Sequence, residues 1–511
     1  MADTKREIER KYESDDSGLP DLTGVAGVAA VIDKGVAHLD ATYYDTADGR
    51  LAASSITLRR RTGGSDAGWH LKFPVAPGVR DEIRAPLSDT VPRALAGLVR
   101  SRVRDTALGP VVRLRSDRDL RDLTDADGRL LAEVGVDAVY AERLDGSGGQ
   151  AQWTEIEVEL ADGGDPVFLD QVEKRLRKAG VRPSASSSKL ARALAETAPA
   201  KTGPAPGKKK SGRKGKRGPA GPETAGDHVL EYLRAQRDAI VTLDPAVRRD
   251  MDDSVHSMRV ATRRMRSALR SFGSVLDRSL TDPVGEELKW LAGELGVDRD
   301  QEVLTGRITG ALGELPRNLV AGPVRTRLRT WSNARRGGSR RRLIAVLDGK
   351  RYLALLGTLD ALIDTPPLRK AAAGDPRKVI AKAVRKDLAK LSGLVEQALD
   401  LPPGQERDLA LHEARKKAKR TRYSAETATV PLGDPAAELA RSMKSLQNLL
   451  GDHQDSVMAR GALRELAVHA QTAGESGFTY GVLYGREELR AALDEAELPG
   501  AWAAARKAAR I

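Results

Sequence analysis

The sequence predicts an α+β protein of two unlike parts: an antiparallel β domain with flanking helices over residues 1–198, then a separate all-α helical bundle over residues 223–511. Three observations predict it. Short period-2 alternations of apolar and charged residues fill the first part, and a 3.6-residue period fills the second. Between them, Pro199 to Pro222 holds Pro, Gly, Lys and Arg but no acid and no large apolar residue. At 511 residues the chain is also too long for one ordinary core.

The β elements come in order as Arg6–Lys11, Ser55–Arg61, Trp69–Phe73, Pro110–Arg115, Leu130–Asp137 and Thr154–Leu160. Turn signals separate them, among them Thr62-Gly63-Gly64-Ser65, Ala126-Asp127-Gly128 and Asp145-Gly146-Ser147-Gly148. Two helices are expected to interrupt the strands, near Gly24–Leu39 and Phe168–Ala179. The segment 199–222 cannot form a core and is expected to be a flexible basic linker. Beyond it, Asp227–Leu243, Ser254–Leu276, Pro376–Ala398 and Asp408–Thr427 repeat apolar residues every three or four positions, as antiparallel bundle helices do.

The helical part repeats itself. His256-Ser-Met-Arg259-Val-Ala-Thr-Arg263-Arg264-Met-Arg266 answers His412-Glu-Ala-Arg415-Lys416-Lys-Ala-Lys419-Arg420-Thr-Arg422, and Leu295-Gly296-Val-Asp298-Arg-Asp300 answers Leu450-Gly451-Asp452-His453-Gln-Asp455. Two related, pseudo-symmetric halves follow from this.

The formal net charge of +13 points to a polyanionic partner, without saying which. No cysteine is present, which excludes disulfides, a thiol nucleophile and a thiolate zinc site. No run approaches the ~20 apolar residues of a membrane span, and the first residues are charged instead of apolar. A cytoplasmic protein without a membrane partner is expected.

Strand spacing shows where the charges gather. Residues two apart share a face, so Glu7, Glu9 and Lys11 point one way, as do Glu155, Glu157 and Glu159. Crowded carboxylates repel unless a cation lies between them, and Mg²⁺ or Mn²⁺ suits such oxygen ligands. Arg59 with Arg61, His70 with Lys72, Arg80 with Glu82 and Arg84, and Arg113 with Arg115 pair in the same way. A single alternating charged strand is ordinarily the wet face of a sheet. Several together, with acids on two strands and bases on the others, suit a cavity for a metal-bound polyanion.

Glu7-x-Glu9-x-Lys11, Tyr43-Tyr44-Asp45-Thr46, the Arg59/Arg61 strand, Lys72, Arg80, Glu82, the Arg113/Arg115 strand, the Glu155–Glu159 strand and Ser188-Lys189 together resemble the CYTH superfamily of triphosphate tunnel metalloenzymes across nearly all of residues 1–198. The resemblance implies an eight-stranded antiparallel tunnel open at both ends. It implies metal on Glu7, Glu9, Glu155, Glu157 and Glu159. It implies triphosphate held by Lys11, Arg59, Arg61, Lys72, Arg80, Arg113, Arg115 and Lys189. Glu7, Glu9, Lys11 and Glu157 are the implied catalytic set, with a carboxylate of the last strand orienting the attacking water. Arginines and metal would balance charge on the leaving pyrophosphate.

In the helical part, His256, Arg259, Arg263 and Arg266 fall within an arc of about 80°, and His412, Arg415, Lys419 and Arg422 form an equivalent stripe. A solvated surface helix ordinarily mixes charge signs. These stripes are almost purely basic, which favours a bound polyanion. They resemble the CHAD domain over roughly residues 223–511, and that resemblance implies a polyphosphate groove of His256, Arg259, Arg263, Arg264, Arg266, His412, Arg415, Lys416, Lys419, Arg420 and Arg422. Asp298, Asp300, Asp452 and Asp455 are expected to cap helices or orient arginines.

The expectation is an inorganic triphosphatase tethered to a polyphosphate-binding domain, associated with polyphosphate granules. Its rivals are a non-catalytic polyphosphate-binding protein and a CYTH enzyme acting on a nucleoside or thiamine triphosphate, adenylate cyclase included. Nucleic acid is disfavoured, because no stacking aromatics interleave the stripes.

Overall fold

A computed structural model describes residues 3–14, 18–146, 148–198, 222–336 and 338–509. All but the last residue of the expected linker, 199–222, lies outside the described residues. The chain separates into two compact units.

The first unit runs β1 (Asp3–Glu13), a 3₁₀ turn (Val25–Gly27), β2 (Ala30–Asp45), α1 (Arg50–Ala53), β3 (Thr57–Thr62), β4 (Gly68–Ala76), β5 (Val79–Ala85), α2 (Arg93–Val103), β6 (Gly109–Thr124), β7 (Leu130–Arg143), β8 (Gln150–Leu160), α3 (Val167–Lys178) and α4 (Lys189–Glu196). The strands close into an antiparallel barrel in the order β1-β5-β4-β3-β2-β6-β7-β8. β1 makes the closure: its first half pairs with β5 and its second half with β8.

The helix expected near Gly24–Leu39 is instead the start of β2. Val28, Val31, Ile32 and Val36 are β-branched and favour extended backbone. Gly27 and Gly35 sit at positive φ, +88° and +79°, which no helix tolerates. β6 then pairs with β2 along its whole length, from Ala30↔Thr124 to Asp45↔Gly109, with a bulge at Gly35.

Apolar residues on the outside of the barrel are covered twice. α3 lies over Tyr12, Val134, Ile156 and Val158. α2 and α1 lie over Leu58, Trp69, Leu71 and Ile83. A third cluster is internal: Ala41, Tyr43, Val112, Leu114, Val139, Ala141 and Trp153 meet Leu190 and Ala193 of α4. The Ser188 hydroxyl caps α4 by accepting from the Ala191 N–H. The helix thereby sets apolar side chains against the inward faces of β2, β6, β7 and β8.

The second unit contains α5 (Ala225–Arg248), α6 (Ser254–Ser271), α7 (Arg278–Glu294), α8 (Val297–Gly313), α9 (Val324–Arg336), α10 (Ser339–Asp348), α11 (Lys350–Asp364), α12 (Pro376–Asp400), α13 (Gln405–Leu432), α14 (Asp434–Thr472) and α15 (Phe478–Ala508). Thr224 and Asp227 start it with a capping box. One large core joins residues of α5–α7 and α10–α15, and a smaller one joins α8 and α9 to α14 and α15. The sequence repeat maps onto this order: the His-x-x-Arg stretches lie on α6 and α13. The first Leu-Gly pair breaks α7 from α8, whereas α14 runs unbroken through the second. Among the described residues no helix is long and apolar enough to cross a membrane.

Candidate functional site

Strand register decides which side chains face the lumen. Arg59 and Arg61 on β3 oppose Tyr43 and Ala41 on β2, and those two oppose Val112 and Leu114 on β6. On β6 the even positions therefore point inward. Arg113 and Arg115 point outward, which corrects their expected place in the tunnel. Arg113 is held by Asp40, with Nε 2.9 Å from Oδ1. Arg115 lies 3.6 Å from Glu142 and over the Tyr140 ring. The lumen cation of β6 is Arg118, which sequence reasoning missed.

Arg118 donates to both oxygens of Asp137 at 2.8 Å and reaches Glu157 at 2.5 Å. Gly135 makes room for it: a Cβ there would stand 3.2 Å from Arg118 Nε. Asp137, equally unassigned from sequence, is fully buried. Its face was readable from alternation on β7, but its partner was not, because β6 carries charge on both faces.

The other expected lumen residues do converge. Lys72 Nζ is 2.5 Å from Glu7 and 3.5 Å from Glu82. Lys11 bridges Glu9, at 3.2 Å, and Glu157. Lys189, delivered by α4, lies 3.0, 2.8 and 2.5 Å from Asp137, Glu155 and Glu157. Glu159 pairs with Lys5 at 2.6 Å. Arg59 approaches Glu82 at 4.0 Å and Tyr43 Oη at 3.4 Å. Arg61 pairs with Asp66. Arg80 shares this face but donates to the carbonyls of Ser55 and Ser187. His70 Nδ1 lies 2.8 Å from Glu82.

The electrostatics follow from this crowding. Burial opposes ionisation of Glu157, yet Lys11, Lys189 and Arg118 outweigh it and hold the carboxyl well below its usual range. Burial is likewise overcome at Glu9 by Lys11 and at Asp137 by Lys189 and Arg118. Glu7 is the exception: burial, with Glu82 and Glu159 nearby, raises it despite Lys72. Burial beside Arg59 and Arg118 lowers Arg61 to about 9.

The carboxylate oxygens of Asp137, Glu155 and Glu157 lie within 4.8 Å of one another, but the Lys189 ammonium is already among them. Glu155 also accepts from Trp153 Nε1 at 2.6 Å. Glu7, Glu9, Glu155, Glu157 and Glu159 form an all-oxygen donor set of the kind that fits a hard divalent ion.

In the helical unit the stripes of α6 and α13 face one another. Arg259, Arg263, Arg415 and Lys419 form the centre. Burial, then Arg415, Arg263 and Arg259, push Lys419 down to about 7. Burial and the neighbours Arg259 and Arg415 also lower Arg263. Arg259 is held by Asp300 at 2.6 and 2.9 Å, as an arginine-orienting acid would do. Asp298 lies outside the described side chains. Half-buried His256 and His412 flank this centre. Burial, then Lys416, lower His412.

The other stripe residues turn to partners of their own. Arg264 and Arg422 face Glu426 and the Tyr423 ring. Arg266 approaches Glu286 at 3.8 Å, Arg420 is tied to buried Asp387 at 3.0 Å, and Lys416 pairs with Glu413.

Comparison with known proteins agrees with both units. The CYTH domain matches residues 5–193 and the CHAD domain residues 231–464. Two Mycobacterium tuberculosis proteins, "Uncharacterized protein MT2285" (strain CDC 1551 / Oshkosh) and "Uncharacterized protein Rv2226" (strain ATCC 25618 / H37Rv), are each 38% identical over 512 residues, covering 95% of both chains. Among solved structures, PptA from Streptomyces chartreusis is 22% identical, with TM-score 0.46, covering 55% of this chain and 99% of its own. The CHAD domain from the plant Ricinus communis is 24% identical, with TM-score 0.43, covering 56% of this chain and 93% of its own. The chain therefore belongs to the CYTH family through its barrel and to the CHAD family through its helical unit.

Proposed function

We propose that the barrel hydrolyses inorganic triphosphate to pyrophosphate and phosphate, and that the helical unit binds polyphosphate. CYTH members are phosphohydrolases or cyclases that act with a metal. The observation that carries the reading is a lumen lined by nearly matched acids and bases, whose aromatic residues Tyr43 and Trp153 belong to the apolar cluster under α4. Both rings are buried and meet the charged lumen through their polar atoms, Tyr43 Oη 3.4 Å from Arg59 and Trp153 Nε1 2.6 Å from Glu155, so neither offers an open face for an adenine or thiamine ring to stack on. That favours a substrate made of phosphate alone.

Without substrate the lumen neutralises itself, with Lys11, Arg59, Arg61, Lys72 and Lys189 each resting on an acid. A triphosphate would draw Lys11, Arg59, Arg61 and Lys72 onto its oxygens. The released carboxylates then need another cation. Glu7, Glu9, Glu155, Glu157 and Glu159 would hold that metal, which supplies charge neutralisation of the phosphate oxygens when bound. Glu157, gripped by three bases, anchors them. A carboxylate of the Glu155–Glu159 strand would orient the attacking water, while Glu9, with Lys11 at 3.2 Å, helps to hold the metal. Arg118 keeps Glu157 and Asp137 ionised throughout.

The helical groove would tether the enzyme to polyphosphate, and so to polyphosphate granules, raising the local concentration of chain ends. The test is phosphate release from triphosphate, ATP and long-chain polyphosphate with Mg²⁺ or Mn²⁺, for the unaltered chain and Glu9→Ala. Release from triphosphate, lost by at least about a hundredfold in the variant while polyphosphate stays bound, is expected. Binding without turnover of any of the three would make this a binding protein; cyclic AMP from ATP would make it a cyclase.

A further inference from the structure

The repeat carries a glycine in each half, Gly296 and Gly451, that the backbone does not require. Gly296 has φ −91° and ψ −19°, an ordinary right-handed helical conformation. Gly451 lies inside α14, and neither residue is among those at positive φ. Glycine in such a setting is disfavoured relative to alanine, because it loses more freedom on folding. What these positions need from glycine is space.

The space is taken by one arginine in each half. A Cβ on Gly296 would lie 2.8 Å from both Cζ and Nη2 of Arg259 and 3.0 Å from its Nε. A Cβ on Gly451 would meet Nη2, Nε and Cζ of Arg415 at 3.3, 3.6 and 3.7 Å. In both cases the three nearest atoms all belong to that arginine. Arg259 and Arg415 occupy the same place in the repeat, three residues after His256 and His412. On its other side Arg259 is gripped by both oxygens of Asp300. Its guanidinium is thus held between a bare stretch of backbone and a carboxylate. By contrast, Gly310 and Gly461, also within helices of this unit, have nothing within 4 Å of an added Cβ.

We infer that Gly296 and Gly451 are positioning residues of the anion groove, each leaving bare the patch of helix on which Arg259 or Arg415 is seated. The inference rests on the polyphosphate reading of the groove and adds what sets the spacing of its cations. Like charges crowded together drift apart unless their directions are fixed, and an arginine fixed in advance spends less entropy when it meets a phosphate. The colliding atoms are the far end of a flexible side chain, so an added methyl group moves the guanidinium and leaves the helix intact. The seat at Gly296 is the tighter of the two, and substitution there has the larger effect.

The experiment measures binding of fluorescently labelled long-chain polyphosphate to the full chain. The variants are Gly296→Ala, Gly451→Ala, the control Gly461→Ala, and Gly296→Ala in an Arg259→Ala background, each with its melting temperature. Gly296→Ala is expected to weaken binding about tenfold, as loss of one well-aimed charged contact does, and Gly451→Ala less. Melting temperatures should stay at or above that of the unaltered chain, and Gly461→Ala should bind normally. With Arg259 already gone, Gly296→Ala should cost nothing further. Unchanged binding by Gly296→Ala, an equal loss in Gly461→Ala, a lowered melting temperature, or a further loss without Arg259 would each overturn the inference. Failure of the unaltered chain to bind polyphosphate would remove the polyphosphate reading itself, a separate and distinguishable result.

Discussion

Replacing Arg118 by methionine keeps a stem along Gly135 and removes only the guanidinium. That group makes two hydrogen bonds to Asp137 and one to Glu157, both buried. Breaking a buried ion pair costs about 3–5 kcal/mol. Lys189 and Lys11 still serve the two carboxylates, which puts the loss near about 3 kcal/mol. Because both carboxyls are held below their usual range, their stabilisation is present above the unfolded value of about 4 and lost as pH falls through the folded values. The deficit should therefore be full at pH 7 and shrink below about pH 4. Hydrogen exchange of the full chain, read by mass spectrometry on peptides from β6, β7 and β8, measures it. About a hundredfold faster exchange at pH 7 is expected where exchange follows the opening equilibrium. Unchanged protection at pH 7, or a deficit of the same size in acid, would refute the buried network.

Arg113→Ala and Arg115→Ala should leave the KM for triphosphate within about twofold and cost at most about 1 kcal/mol, because both face outward in exposed pairs. Arg59→Ala, inside the lumen, should raise that KM at least about tenfold in the same phosphate-release assay. Polyphosphate binding should tighten as pH falls from 8 to 6. Lys419, pushed to about 7 by burial and by Arg415, Arg263 and Arg259 with Asp455 opposing, gains its charge over that interval. Since its folded value lies below its unfolded one, the same residue makes the helical unit more stable as pH rises from about 7 to 10. Lys419→Met should remove the component of binding centred near pH 7; a pH titration of labelled polyphosphate binding checks it.

Much of this was legible because local spacing carries it. Glu7, Glu9 and Lys11 share a face on any extended strand, and the two basic stripes share a face on any helix. What spacing cannot give is which face of a doubly charged strand looks inward. Arg113 and Arg115 alternate as cleanly as Arg59 and Arg61, and only the pairing of β6 with β2, and of β2 with β3, turns them out and Arg118 in. β2 was obscured by small residues whose spacing also suits a helix, until its glycines and its partner strand decide. The short helix α4 carries little signal of its own, yet it delivers Lys189 and the apolar pair Leu190 and Ala193. The repeat was visible as letters; that its glycines face its arginines emerges only when the helices are folded together.

The apolar cluster that α4 makes with β2, β6, β7 and β8 has a consequence for traffic. Charged groups do not cross such a surface readily. On the reading proposed above, pyrophosphate would therefore leave along the charged wall of the lumen rather than past α4. A long polyphosphate would meet the same apolar surface, so it would present an end, lose a phosphate and withdraw. Each cut would then be a separate visit rather than a step along a track.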